Sequence, residues 1–477
     1  MKPITPASFY TILENKFPHS PTATQSVALQ KLAEFTLSTV KDEVFLLKGY
    51  AGTGKTTLIG TLVNSLWKVQ KKAVLMAPTG RAAKVMSNYS NTQAFTIHRK
   101  IYFPKKQSGG GVQFVLAPNK HRDTLFIVDE ASMIPDTAAD SKLFENGSLL
   151  DDLMMFVYSG HKCKLLLIGD TAQLPPVHLV LSPALDGNKL SLNYNKEVVR
   201  LELSEVVRQA GDSGILANAT LLREQLQSDF LEDFKFDVDP FTDIVRLIDG
   251  NEIQEAIDSS YAENGKEETA FIVRSNKRAN LYNQNIRERI LYLENDIAVG
   301  DFMMVVKNNY YWLKPSSEAG FIANGDIIEI LEIFDIKEIY TFKFAEVKVK
   351  MVDYPNMAPF ETVLLLDTIT AESPSLSYED GNRLYQEVMK DFAHETSKYK
   401  KFLGVKNNKY FNGLQVKFSY AITCHKSQGG QWNTVFVEQP YLPNGIDKEY
   451  LRWLYTAVTR AKNKLYLIGF KDDFFLD

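Results

Sequence analysis

Gly49-Tyr50-Ala51-Gly52-Thr53-Gly54-Lys55-Thr56 places glycine, lysine and threonine at every fixed position of the pattern G-x-x-x-x-G-K-[ST]. The apolar run Val44-Phe45-Leu46-Leu47 precedes it and reads as a buried strand. Thr57-Leu58-Ile59-Gly60-Thr61-Leu62-Val63 follows with apolar residues at helical spacing. Strand, glycine loop and helix are the context in which such a loop cradles phosphate. The glycines let successive backbone N–H groups point at phosphate oxygens, and the helix N-terminus adds positive potential. Gly52, Thr53, Gly54, Lys55, Thr56 and Thr57 are therefore expected around a nucleoside triphosphate. Lys55 would reach the β- and γ-phosphates and the Thr56 hydroxyl would ligate Mg²⁺.

The 477 residues exceed one ordinary domain and suggest about three at ~150 residues each. A formal net charge of −4 carries no global signature of polyanion binding, so any such site must be a local groove. Cys163 and Cys424 lie in no metal-ligand spacing and read as small buried residues in a reducing compartment, with cytoplasmic localisation expected. Residues 1–17 lack the apolar core of a signal peptide, and no run approaches about 18 consecutive apolar residues, so no membrane span is expected.

Short apolar runs at 44–47, 73–76, 125–128 and 165–168 alternate with helical segments, and a second set lies at 271–273, 435–437 and 465–468. Such alternation predicts an α/β fold with parallel sheets wrapped by helices. Residues 301–367 instead alternate apolar and polar, as in Glu346-Val347-Lys348-Val349-Lys350-Met351-Val352, which predicts an antiparallel barrel or meander. Residues 373–403 space Leu384, Val388 and Phe392 every fourth residue, predicting one amphipathic helix. The α/β pattern resumes at about Gly413. Ser108-Gly109-Gly110-Gly111 sits between two apolar runs and predicts a hairpin over 101–115.

Downstream strings add catalytic chemistry. Asp129-Glu130 follows the third apolar run, where Asp129 would hold Mg²⁺ and Glu130 would deprotonate the attacking water. Gly169-Asp170-Thr171-Ala172-Gln173-Leu174-Pro175-Pro176-Val177 follows the fourth, and the Gln173 amide can donate to phosphate and accept from water. Arg208 and Arg460 are candidates for stabilising transition-state charge.

In this order the strings resemble superfamily 1 helicases of the 5′→3′ branch, the RecD- and Dda-like family, over nearly the whole chain. The resemblance assigns Lys55, Asp129-Glu130, Gln173, Arg208 and Arg460 to motifs I, II, III, IV and VI. Gln25, in Pro21-Thr22-Ala23-Thr24-Gln25, resembles the family's adenine-reading glutamine. Ala77-Pro78-Thr79-Gly80-Arg81-Ala82-Ala83-Lys84 is similar to motif Ia, Thr96-Ile97-His98 to the element beyond it, and Ala421-Ile422-Thr423-Cys424-His425-Lys426-Ser427-Gln428-Gly429-Gly430-Gln431 to motif V. These imply that Pro78, Thr79, Thr96, His98, His425 and Ser427 face single-stranded DNA, with Phe95, Tyr102 and Phe103 as candidates for stacking on bases. Family motif V often ends in Gly-Ser-Glu, whose Glu can bind ribose. Gly430 and Gln431 stand in the last two places here, and Gln431 keeps a hydrogen-bonding end for the nucleotide.

The resemblance implies two RecA-like P-loop domains, residues 1–200 and residues 201–298 with 412–477. Residues 299–370 would be an inserted SH3-like β module, 371–411 its helical extension and 99–120 a small β-hairpin, the pin. It further implies an ATP- and Mg²⁺-dependent 5′→3′ DNA helicase. Expected partners are single-stranded DNA, tailed duplex DNA and a single-stranded-DNA-binding protein. The chain would act as a monomer in DNA repair, recombination or replication. A translocase without strong unwinding, an RNA helicase and a P-loop switch without motor function remain open on sequence alone.

Overall fold

Strands covered by helices on both faces have no solvent face to alternate toward, and continuous apolar runs follow. The computed structural model describes residues 4–106, 112–135, 148–207, 213–228, 230–231, 234–314, 317–443 and 445–476. The first lobe contains β1 (Glu43–Gly49), β2 (Lys72–Ala77) and β3 (Ala94–Thr96). An antiparallel hairpin follows, β4 (Tyr102–Lys106) with β5 (Val112–Leu116), and then β6 (Thr124–Val128), β7 (Lys164–Gly169) and β8 (Glu197–Leu203). Apart from the hairpin, these strands form one parallel sheet in the order β3-β2-β6-β7-β1-β8. All five residues of β6 are buried. The tip expected at Gly109-Gly110-Gly111 lies outside the described residues.

The second lobe opens with β9 (Ile244–Leu247) and β10 (Thr269–Val273). The chain then leaves for a closed barrel of β11 (Phe302–Val305), β12 (Ile327–Ile339), β13 (Phe342–Met351), β14 (Phe360–Leu365) and β15 (Leu414–Phe418). It returns through β16 (Ala421–Thr423), β17 (Trp432–Glu438) and β18 (Ala461–Ile468), giving a parallel sheet in the order β16-β10-β17-β18-β9. The architecture is the expected pair of parallel-sheet lobes with a β module inserted in the second.

Two expectations are corrected. Parallel pairing resumes at Ala421 rather than Gly413, because β15 closes the barrel, antiparallel to β11 and parallel to β14. Residues 373–403 form two helices, Tyr378–Lys390 and Lys398–Lys406, the second capped by the Ser397 hydroxyl accepting from Lys400 N–H. Both pack outside the barrel. β13 serves two cores: Phe342 and Phe344 meet Leu384, Val388 and Val405 of the helices, while Ala345, Val347, Val349 and Met351 fill the core shared by barrel and second lobe. The change of buried phase at Phe344–Ala345 lies beside a register shift between Ile333 and Asp335 of β12.

A buried ion pair joins barrel to lobe. Asp301 is fully buried and accepts from Arg287 Nε and Nη2, both at 3.0 Å, from Tyr420 OH at 2.8 Å and from Ala298 N–H at 2.7 Å. Asp301→Ala would orphan the Arg287 charge, and removing one partner of such a pair costs about 3–5 kcal/mol. Urea melts of the two proteins should show that loss, and an unchanged midpoint would contradict it.

Candidate active site

Open α/β sheets form ligand crevices beyond the C-terminal ends of their strands. The phosphate loop leaves β1, Pro78 and Thr79 leave β2, Asp129 and Glu130 leave β6, and Asp170 and Gln173 leave β7. Facing them from the second lobe are Gln431 and Arg460, and the residues of both lobes line one cleft of about 920 Å³.

Gly52 (φ 74°) and Gly54 (φ 84°) hold the loop in left-handed backbone that other residues rarely adopt. A Cβ on Gly54 would also collide with the Gln25 amide. Lys55 heads the helix Lys55–Val63, and its Nζ donates to the carbonyls of Gly49 (2.6 Å) and Tyr50 (2.7 Å). Thr56 is exposed and lines the cleft. Gln25 is 2% exposed and completes a capping box with Thr22, Oε1 accepting from Thr22 N–H at 3.0 Å. Its Nε2 donates to the Thr53 carbonyl at 2.9 Å. The expected base reader therefore also braces the phosphate loop, and an adenine contact would draw on its second amide hydrogen.

Each Asp129 carboxylate oxygen accepts one hydrogen bond, Oδ1 from Glu130 N–H and Oδ2 from Tyr89 OH, both at 2.8 Å. Each keeps a lone pair for a cation. Glu130 adopts φ 54°, a strained conformation for a glutamate that costs about 1–3 kcal/mol and collects at functional sites. Burial pushes its carboxyl above the ordinary 4.5, the Arg460 and Lys55 charges pull it back, and Asp129 and Asp170 push it further up. Gln173 is buried, and its Oε1 has no hydrogen-bond partner among the described residues. A glycine cradle, a cation at its rim, a carboxylate with open lone pairs and an orphan acceptor fit a Mg²⁺-bound nucleoside triphosphate and its attacking water.

Arg460 is 3% exposed, fixed by Nε to the Thr456 carbonyl at 3.0 Å and Nη1 to the Gly430 carbonyl at 3.2 Å. Arg208 lies outside the described residues. Sequence reading missed the contacts that join the lobes. Tyr455 OH accepts from Ala51 N–H of the phosphate loop at 2.8 Å and donates to Asp170 Oδ2 at 2.7 Å. Thr456 Oγ1 accepts from Leu174 N–H at 2.8 Å, and Gln428 Nε2 donates to the Leu174 carbonyl at 2.7 Å. Tyr89, which holds Asp129, was missed as well. In sequence Tyr89, Tyr455 and Thr456 look like ordinary residues of amphipathic helices.

The motif Ia and motif V strings meet across the cleft. Gly429 (φ 73°) is so close that a Cβ there would lie 3.2 Å from Thr79 Oγ1. Pro78 and Thr79 are half-buried, and Thr79 caps the helix Gly80–Ser90. Thr96 is 7% exposed and caps the helix Ile97–Ile101. Burial drives His98 down to about 4, so it is neutral, beside the rings of Tyr102 and Phe321. His425 is exposed. Ser427 is fully buried, its hydroxyl donating to the Cys424 carbonyl at 2.7 Å, so its side chain is turned away from the surface. Tyr102 is buried with its hydroxyl on Asp152 at 2.6 Å, which removes it as a stacking platform; Phe103 is exposed and Phe95 half-buried.

Glu130→Gln keeps the shape of the side chain and removes its basicity. ATP binding should survive while turnover falls by about 10²–10⁴-fold. Because burial raises the Glu130 carboxyl, turnover should be lost as pH falls through a midpoint above 4.5. Equal loss of nucleotide binding in the variant, or an acid limb at or below that value, would contradict the general-base role.

Known proteins share parts of this arrangement. Residues 33–179 match the model of an AAA domain, and residues 418–468 match that of a UvrD-like helicase C-terminal domain. The ATP-dependent DNA helicase dda of Enterobacteria phage T4 is 26% identical over 88% of this chain and 93% of its own length. The ATP-dependent RecD2 DNA helicase of Deinococcus radiodurans is 31% identical over 36% of this chain and 21% of its own. Protein MJ1519 of Methanocaldococcus jannaschii is 27% identical over 92% of this chain, which spans only 38% of that relative's length. Among the described residues no helix is long and apolar enough to cross a membrane. With the phosphate loop, the paired acids after β6 and Arg460 meeting in one cleft, the chain is similar to superfamily 1B helicases of the RecD and Dda type and carries a P-loop ATP-hydrolysing site.

Proposed function

We propose that the chain is an ATP-driven motor that moves 5′→3′ on single-stranded DNA and opens duplex ahead of it. The observation that carries this reading is the meeting of both lobes on one cleft. Glu130 and Gln173 of the first lobe face Arg460 of the second, and on the same seam Thr79 abuts Gly429. Residues that do the chemistry thus share rigid elements with residues proposed to hold the strand.

Lys55 offsets charge on the outer phosphates. Glu130 accepts a proton from water positioned by the Gln173 amide. Arg460, joined by Arg208, stabilises charge as the γ-phosphoryl group departs, an effect on the order of 10³–10⁵ in rate. Mg²⁺ on Thr56 and Asp129 would neutralise phosphate charge when bound. Pro78, Thr79, Thr96, His98, His425 and the backbone around Ser427 form the proposed strand path. Hydroxyls and backbone N–H groups there suit phosphates, which carry affinity without sequence. Closure on nucleotide and opening after hydrolysis would step one lobe past the other. The hairpin β4–β5 is the proposed separating pin. It is buttressed by the barrel, where Phe114 packs on Tyr310 at 4.7 Å and Phe321 at 6.0 Å between ring centroids.

The test is unwinding of duplexes carrying a 5′ or a 3′ single-stranded tail, in the presence of ATP. The 5′-tailed substrate should open and the 3′-tailed one should not. Preference for a 3′ tail would overturn the polarity. Failure on both, with DNA-stimulated ATP turnover intact, would leave a translocase and overturn the unwinding.

A further inference from the structure

Tyr455 lies at the centre of the interlobe contact, yet it carries no charge and cannot reach the chemistry as acid or base. It is 1% exposed, on the helix Lys448–Val458 that ends two residues before Arg460. Its hydroxyl is satisfied on both sides. It accepts from Ala51 N–H inside the phosphate loop and donates to Asp170 Oδ2. Asp170 in turn holds Ala172 N–H through Oδ1 at 2.9 Å, and so shapes the turn that carries Gln173. Burial, with the Asp170 carboxylate alongside, pushes the phenol well above its usual range, so it stays a donor at ordinary pH.

The same helix also reaches the proposed strand path, through its middle turn. Cys424 Sγ contacts the Trp453 carbonyl at 3.4 Å, two residues before Tyr455, and His425 beside it is exposed. One rigid helix therefore touches motif V, the phosphate loop, the turn before Gln173 and the segment leading to Arg460. A helix shifts as a unit because its backbone hydrogen bonds resist deformation. A single hydroxyl that bonds two first-lobe elements converts that shift into movement of the catalytic groups.

We infer that the Tyr455 hydroxyl is a positioning group that couples occupancy of the strand path to ATP turnover, by tying the phosphate loop and Asp170 to the helix leading to Arg460. This rests on the proposed DNA-stimulated motor, and it adds a residue through which the stimulation passes. Coupling between two sites commonly amounts to about 5- to 150-fold.

Tyr455→Phe keeps the ring and removes both hydrogen bonds. Steady-state ATP hydrolysis is measured with and without oligo-dT for the wild type, Tyr455→Phe, Asp170→Asn and the double variant, with thermal melts confirming folding. In Tyr455→Phe the DNA-stimulated kcat should fall by about 5-fold or more, far beyond any change in the rate without DNA. The double variant should be no worse than the more impaired single one, because the two residues act as a unit. Undiminished stimulation in Tyr455→Phe would overturn the inference. So would a proportional fall of both rates, or additive losses in the double variant, since those mark a structural role alone. Absence of stimulation in the wild type would overturn the functional reading itself, and the coupling with it.

Discussion

The left-handed backbone at Gly54 is the constraint from which the cleft is built. It turns the chain out of β1 and into the helix Lys55–Val63, so that the helix N-terminus and the Lys55 ammonium meet at one point. Only glycine fits there, both for its conformation and because the Gln25 amide occupies the space a side chain would need. That packing in turn explains Gln25. Its amide links the cap of the helix Ala23–Leu37 to the Thr53 carbonyl, so the phosphate loop is held by hydrogen bonds before any nucleotide contributes. Preorganised donors of this kind need no reorganisation during reaction, which is where electrostatic catalysis gains most.

Around that loop polar contacts between the two lobes accompany apolar ones, with Ala172 and Leu174 in the core of the second lobe and Tyr50 and Ala51 packed against it. The backbone N–H and C=O of Leu174 are both taken by second-lobe side chains, Thr456 and Gln428. Directional bonds of this sort define a geometry more narrowly than packing does, and each is weak enough to be exchanged as the lobes move. The barrel forms a second joint. Lys84 Nζ donates to the Val352 carbonyl at 3.0 Å, and Tyr354 and Asp326 crowd Gly80 at the start of the same helix. Burial lifts Asp326 to about 8, with Asp353 adding to the rise, so this joint includes a carboxyl held near neutrality. The inserted module is therefore in contact with the motif Ia helix as well as with the hairpin.

The fold was legible where local pattern and motif agreed. The apolar runs before Gly49, Asp129 and Gly169 each became a parallel strand ending at the cleft. The barrel was legible as alternation over residues 301–367, but its closing strand was not. Leu414-Gln415-Val416-Lys417-Phe418 alternates like any strand, and nothing local says that its partners lie at Phe302–Val305 and Leu364–Leu365. The helical insert was read as one piece because the repeat of Leu384, Val388 and Phe392 hides the stop at Asp391. In the site, residues with charge or motif spacing were found, whereas Tyr455 was not. An aromatic among Trp453, Leu454 and Val458 has the sequence character of a core residue, and its hydroxyl acquires meaning only when the other lobe is present. Ser427 shows the converse. Its motif position suggested a strand contact, but its hydroxyl turns inward to the Cys424 carbonyl, as short side chains at helix ends commonly do.

In the proposed motor one cleft, shared by both lobes, hydrolyses ATP at a rate set by a strand bound along the seam between them. Steady-state ATP turnover of the intact chain, with and without saturating single-stranded DNA, tests it most directly. A rise of about tenfold or more is expected when DNA is added, within the range of ordinary site-to-site coupling. Turnover that is the same with and without DNA would contradict it.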